Sequence, residues 1–223
     1  MKHMVALLAA LSLSTAALAA PPKPTPPKTP PESGTAPANV FTPRTVKSTG
    51  SVTVEGRKIA YEAMAGNIIV HPKGWDDAAK PQGPKDAIGT ADGPAVASMF
   101  YVAYFKQGAD PRTRPVTFLY NGGPGSSTIW LHMGAFGPVR VVTRNDSHTP
   151  PAPYGAVANT YSLLDASDLV FIDAPGTGFS RIEGKDKEKA FYGVDQDVYA
   201  FASFITQFLT KYDRWNKIGR AHV

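Results

Sequence analysis

From Val40 onward, apolar residues fall in short runs separated by turn formers. Ser51–Ala60 and Asn67–Val70 are rich in β-branched residues, which predicts strands joined by turns. Val96–Phe105 (VASMFYVAYF) reads as a longer apolar strand, and Gly108-Ala109-Asp110-Pro111 breaks it. Pro115–Tyr120 (PVTFLY) and Asp168–Asp173 (DLVFID) are short and almost continuously apolar, the pattern of strands covered on both faces. Between them, Pro138–Val142 reads as an edge strand. Val198, Phe201, Ala202, Ile205, Phe208, Leu209 and Tyr212 recur at helical spacing and predict an amphipathic helix over about Asp195–Tyr212. Asp195 or Asp197 stands near its start, where a carboxylate suits the exposed N–H groups. Strands and turns first, then buried strands with a helix, predict an α/β sandwich. No internal repeat is visible.

The first 39 residues have a different texture. Met1–Ala20 begins with Lys2, continues with an apolar run over Val5–Leu13, and ends in the small-x-small triplet Ala17-Leu18-Ala19. That is the pattern of a secretory signal peptide cleaved after Ala19, so residues 1–19 are expected to be an export signal. The competing reading, an uncleaved anchor, needs a longer apolar run to cross a bilayer core of about 30 Å. Pro21–Ala38 holds eight prolines in 18 residues and favours extended polyproline II. Residues 20–39 are therefore expected to be a spacer, with recognition of the proline repeats as the alternative. The folded body is expected over 40–216.

Composition narrows the function classes. The chain has 223 residues, 43% of them hydrophobic and 18% charged, enough to build a core and to exclude wholesale disorder. Cysteine is absent, which excludes disulfides, thiolate metal sites and a cysteine nucleophile. The net charge is +5, but the 23 basic residues are scattered, so no nucleic-acid partner is expected. No later segment is long and apolar enough to span a membrane, and no membrane association is expected after signal cleavage. No metal or organic cofactor is implied. Nothing in the pattern specifies an oligomer.

Two glycine-rich loops each follow a buried strand. The first is Asn121-Gly122-Gly123-Pro124-Gly125-Ser126-Ser127. Consecutive glycines at a strand end let backbone N–H groups converge on an anion, bound or formed during reaction. A plain tight turn explains the same residues equally well. A phosphate-binding P-loop does not, because no lysine lies between Lys106 and Lys185. The dinucleotide fingerprint fails as well, with Thr128 where its last glycine belongs. The second loop is Asp173-Ala174-Pro175-Gly176-Thr177-Gly178-Phe179-Ser180. Two such loops at strand ends point to one edge of the sheet, where α/β proteins bind ligands.

Taken together, NGGPGSS at Asn121–Ser127, then Gly137-Pro138, then DLVFIDAPGTGFS closely resemble the serine carboxypeptidase family, peptidase family S10. The likeness covers about Phe100–Tyr212 and is to the amino-terminal part of a bacterial-type member. The resemblance implies an incomplete α/β-hydrolase fold: the N-terminal half of a mixed, mostly parallel sheet flanked by helices. It also implies an activity, in which a Ser–His–Asp triad removes C-terminal residues from peptides by acyl transfer. Asn121 and the Gly122 N–H would bind the terminal carboxylate, and the Gly123 N–H would form half of the oxyanion hole. Asp173 and Gly176–Ser180 would shape the neighbouring wall. The partners implied are peptide or protein C-termini, met in the periplasm or outside the cell.

The chain departs from the family in three places. Ser126 stands where cysteine is frequent. Ala135, fourteen residues after Asn121, stands where many members carry a glutamate that helps hold the carboxylate. The nucleophile elbow G-x-S-x-G has no match anywhere, so the triad is absent from these residues. The histidines, His3, His71, His132, His148 and His222, each read as signal, surface or loop. Lys217–Val223 departs from the apolar strand expected next and is read as a non-native tail: Ile218–Val223 is what ATC GGA AGA GCA CAC GTC encodes, the read-through of a short-read sequencing adapter. The leading expectation is thus an amino-terminal fragment of an exported serine carboxypeptidase-like hydrolase, inactive by itself. The alternatives are a non-catalytic module that captures peptide C-termini, and a hydrolase using Ser126 or Ser127 with His132.

Overall fold

The computed structural model describes residues 40–75, 87–122, 125–144, 146–148, 151 and 155–215. The expected signal, the spacer and the expected tail at 217–223 lie outside the described residues.

The chain opens with a long hairpin. Strand β1 (Thr45–Val54) turns at Glu55-Gly56 into β2 (Arg57–Val70), with Val54 opposite Arg57. Both turn residues have positive φ, 47° and 75°, the two-residue turn whose twist matches that of the flanking strands. The single strand expected over Ser51–Ala60 is therefore a correction: it runs through this turn. Strand β3 (Val96–Lys106) lies antiparallel to β2. β4 (Val116–Leu119) follows, then a single helical turn α1 (Ile129–Leu131) that continues into a π turn at His132–Phe136. β5 (Val139–Val141) and β6 (Ala156–Ala158) pair only with each other, so Pro138–Val142 belongs to a small second ribbon and is not an edge of the main sheet. β7 (Asp168–Ile172), β8 (Arg181–Glu183), α2 (Lys187–Phe191) and α3 (Val194–Lys211) complete the described chain.

The main sheet has the order β1-β2-β3-β7-β4, with β8 also on β3. It is a mixed sheet with flanking helices, in keeping with a partial α/β-hydrolase fold. Its hand differs in one respect from the mostly parallel expectation. Four pairings are antiparallel, and only β4–β7 is parallel. The β1–β2 hairpin is antiparallel because a two-residue turn can join only antiparallel neighbours, and β3 adds antiparallel pairings to β2, β7 and β8. Among the described residues β4 pairs with β7 alone, so its outer edge is free.

β7 is buried on both faces, which explains its unbroken apolar run. Val170 and Ile172 join a core with Met99, Tyr101, Phe118 and the α3 residues Phe204, Phe208 and Leu209. Leu169 and Phe171 join the opposite core with Val52, Ile59, Tyr104, Leu119 and Leu164. α3 matches the helix read from periodicity to within a residue at each end. Phe208 sits edge-on to Tyr101 and Phe118, at centroid distances of 5.3 and 5.6 Å. At the start of β7 the buried Asp168 carboxylate takes hydrogen bonds from the Lys106 N–H at 2.9 Å, from Arg114 Nε at 2.7 Å and from Arg214 Nη2. Arg214, just past α3, thereby pins the helix end to the edge of the sheet opposite the glycine-rich loops.

Candidate active site

β4 and β7 run in the same direction, so the loops that follow them leave the same sheet edge. The second loop owes its shape to β3. β7 and β8 both pair with β3, at Tyr101–Tyr104 and at Val96–Ser98, and the chain leaves the ladder between them. Phe100 marks the fork. Its carbonyl accepts from the Asp173 N–H at 3.0 Å, and its N–H donates to Ser180 Oγ at 2.8 Å. The fully buried Ser180 hydroxyl thus replaces a missing ladder carbonyl, and it donates onward to the Asp173 carbonyl at 2.8 Å.

Asp173 ties the two loops together. Its Oδ1 accepts from the Thr128 N–H at 2.8 Å and its Oδ2 from the Phe179 N–H at 2.9 Å. Gly178 is required there. Its φ is +50°, and a Cβ would stand 2.1 Å from Asp173 Oδ2. The Thr128 hydroxyl accepts from the Asn121 N–H at 3.1 Å and donates to the Ile172 carbonyl. The Asn121 carboxamide nitrogen donates to Ser126 Oγ. Asn121 is half-buried and Gly122 exposed, at the head of the first loop. Gly123, the expected oxyanion donor, lies outside the described residues.

The segment after the first loop is also pinned. Asn159 Nδ2 donates to the Ala135 and Gly137 carbonyls at 2.7 and 2.8 Å, and Ser162 Oγ donates to the Phe136 carbonyl at 2.9 Å. A π turn leaves carbonyls badly placed for their own helix, and these side chains take them up. Ala135 sits in this turn. Trp130, just beyond the first loop, and Phe179, within the second, stand 69% and 71% exposed, apolar surface beside the polar site.

His132 corrects the surface-or-loop reading. Its ring lies 4.6 Å from that of Phe171, and its Nε2 shares a hydrogen bond of 2.7 Å with Tyr104 Oη. Burial holds its pKa down to about 4, against a weaker upward pull from the Asp173 charge. The Tyr104 hydroxyl is pushed up by burial, with a smaller contribution from Tyr61. Ser126 Oγ is engaged by Asn121 and His132 Nε2 by Tyr104, so the two are not hydrogen-bonded to each other as a nucleophile and base would be. Among the described residues no group of three or more histidine and acidic side chains is arranged to hold a metal ion. No described helix is long and apolar enough to cross a membrane.

Sequence reading placed Asn121 and Gly122 correctly at a strand end but passed over Thr128. A hydroxyl just before an apolar helical run reads as an N-cap. Here it makes no cap bond and is spent on Asn121 and Ile172 instead.

The family model for serine carboxypeptidases, Peptidase_S10, matches residues 90–218, more than half of the chain and inclusive of both loops. The chain belongs to the serine carboxypeptidase family. Similar proteins include serine carboxypeptidase S10 family member 1 of Dictyostelium discoideum, 30% identical over 124 residues, which are 55% of this chain and 27% of that protein. A pheromone-processing carboxypeptidase of Phytophthora infestans is 31% identical over 124 residues, 54% of this chain and 18% of that one. Carboxypeptidase Y homolog A of Penicillium rubens is 29% identical over 157 residues, 70% and 26% of the two chains. The chain thus spans about a quarter or less of the length of these carboxypeptidases. The residues matched by the family model contain the paired strands β4 and β7 and the loops they carry.

Proposed function

We propose that this chain forms the carboxylate-recognition and oxyanion part of an exported serine carboxypeptidase that removes C-terminal residues from peptides. The observation that carries the reading is the joining of the Asn121 loop to the Asp173 loop through one buried carboxylate at the end of the parallel strands. That arrangement joins the two loops without bringing a negative charge to the surface, because the Asp173 carboxylate is turned inward onto Thr128 and Phe179.

In this reading the substrate carboxylate accepts hydrogen bonds from the second N–H of Asn121 Nδ2 and from the Gly122 N–H. The Gly123 N–H is assigned the role of donor to the oxygen that becomes negative in the tetrahedral intermediate, where a preorganised donor has most effect. Position 135 is alanine and contributes no acid to the carboxylate. The 223 residues contain no G-x-S-x-G elbow. The serine, histidine and aspartate that perform acyl transfer are assigned to a longer product of the same gene, and this chain by itself turns over no peptide.

The experiment compares two peptides that differ only in a free or amidated C-terminus, titrated into the chain and into Asn121→Ala. Saturable binding of the free acid alone, abolished by the substitution, supports the reading, and equal binding of both peptides refutes it. Long-read sequencing of the gene across codon Asn216 tests the assignment of the triad. A frame continuing into an elbow, with aspartate and histidine beyond it, supports the carboxypeptidase. A frame that ends at Val223 leaves a module that binds peptide C-termini without cleaving them.

A further inference from the structure

Asn121 is held at both ends, and the holding groups belong to its own loop. Its carboxamide nitrogen donates to Ser126 Oγ, which uses one of two N–H bonds and leaves the other without a partner among the described residues. Its backbone N–H donates to Thr128 Oγ1 at 3.1 Å. Thr128 is almost fully buried and is itself anchored twice to the end of β7, by its hydroxyl to the Ile172 carbonyl and by its N–H to Asp173 Oδ1 at 2.8 Å. Asn121 therefore takes its position from β7, although it is the continuation of β4.

We propose that Ser126 and Thr128 are positioning residues that clasp Asn121, one by its carboxamide and one by its backbone amide, so that the free carboxamide proton is already aimed when a peptide carboxylate arrives. This rests on the carboxylate-binding reading above. The physical gain is preorganisation. An asparagine ahead of two glycines has much conformational freedom to lose, and the clasp removes that freedom before binding rather than during it. The arrangement also has a direction. Thr128 receives from Asn121 and gives to Ile172, so only a side chain that both accepts and donates serves at this position. Valine matches threonine in shape but does neither, and serine does both.

The test uses the 223-residue chain with Ser126→Ala, Thr128→Val, Thr128→Ser and Asn121→Ala, and two readouts. The first is affinity for a peptide with a free C-terminus, with its C-terminal amide as control. The second is hydrogen exchange at the Asn121 backbone amide, which needs no ligand. Thr128→Val is expected to speed exchange at Asn121 at least about ten-fold and to weaken binding of the acid peptide about ten-fold, the size of one lost hydrogen bond. Thr128→Ser is expected to restore both. Ser126→Ala, at a half-buried position that tolerates truncation, is expected to weaken acid-peptide binding by a similar factor and to leave the backbone exchange unchanged. Binding that is lost in Asn121→Ala but within two-fold of wild type in Ser126→Ala and Thr128→Val overturns the clasp while upholding the carboxylate site. Exchange that responds as expected, in a wild-type chain that binds neither peptide, upholds the clasp and overturns the carboxylate site.

Discussion

Replacing Asp173 with alanine removes the carboxylate that joins the end of the first glycine-rich loop, at Thr128, to the second, at Phe179. The side chain accepts two backbone N–H groups, at 2.8 and 2.9 Å, from a position only 6% exposed. Hydrogen bonds to a charged acceptor are each worth about 1.5–3 kcal/mol, and the stranded donors lose most of that when water does not replace the acceptor. Two such bonds give about 3 kcal/mol at the low end, a large share of the roughly 5–15 kcal/mol that holds a domain folded. With a urea dependence of about 2 kcal/mol per molar, the unfolding midpoint is expected to fall by about 1.5 M. The assay is urea denaturation followed by far-ultraviolet circular dichroism at neutral pH, for wild type, Asp173→Ala and Asp173→Asn. The asparagine variant keeps one accepting oxygen but sets an NH2 group against the other donor, so it is expected to fall nearly as far. A midpoint shift of less than about 0.5 M in the alanine variant would refute the reasoning, since the two donors would then have found other partners.

Gly178→Ala forces a Cβ against the Asp173 carboxylate at positive φ and is expected to cost at least about 2 kcal/mol in the same assay. His132 is held neutral in the folded chain, its pKa lowered from 6.5 to about 4. The unfolded chain therefore binds the proton first as the pH falls. Stability is full above about pH 6.5 and declines toward pH 4 by roughly 3 kcal/mol, and His132→Asn is expected to flatten that acid limb in urea titrations across the range. Asp168→Leu leaves the buried Arg114 and Arg214 without their shared acid and is expected to cost about 3–5 kcal/mol, read as a loss of melting temperature. A variant that melts with wild type would show that the arginines had turned outward.

The parts legible in the sequence are those whose cause is local. β7 announced itself because both of its faces are buried, so every position had to be apolar. α3 announced itself because one face packs on a sheet and the period of 3.6 survives in the sequence. The position of Asn121 and Gly122 at a strand end is legible because an apolar strand precedes them and glycines follow. What escaped depends on partners far along the chain. The β1–β2 turn is Glu55-Gly56, without the asparagine or aspartate that usually marks such a turn, so one strand was read across it. Val139–Val141 looked like an edge of the main sheet because an apolar triplet does not name its partner. Thr128 and Asp173 are 45 residues apart, and no periodicity encodes their bond. His132 looked like a surface histidine because Tyr104 and Phe171, which enclose it, come from other strands.

The single parallel pairing also sets an order of events during folding. β1, β2 and β3 join through short or moderate separations and can associate early. β4 and β7 can pair only after residues 120–167 have been closed into a crossover, and long closures are slow. The bond from Thr128 to Asp173 waits on that closure, and the placement of Asn121 waits on the bond. The hairpin and its neighbour are thus expected to gain protection first in a pulse-labelling experiment, while the amides of the two loops still exchange. The two glycine-rich loops are then the last part of the described fold to acquire their shape, and a substitution that slows the crossover delays them without touching either loop.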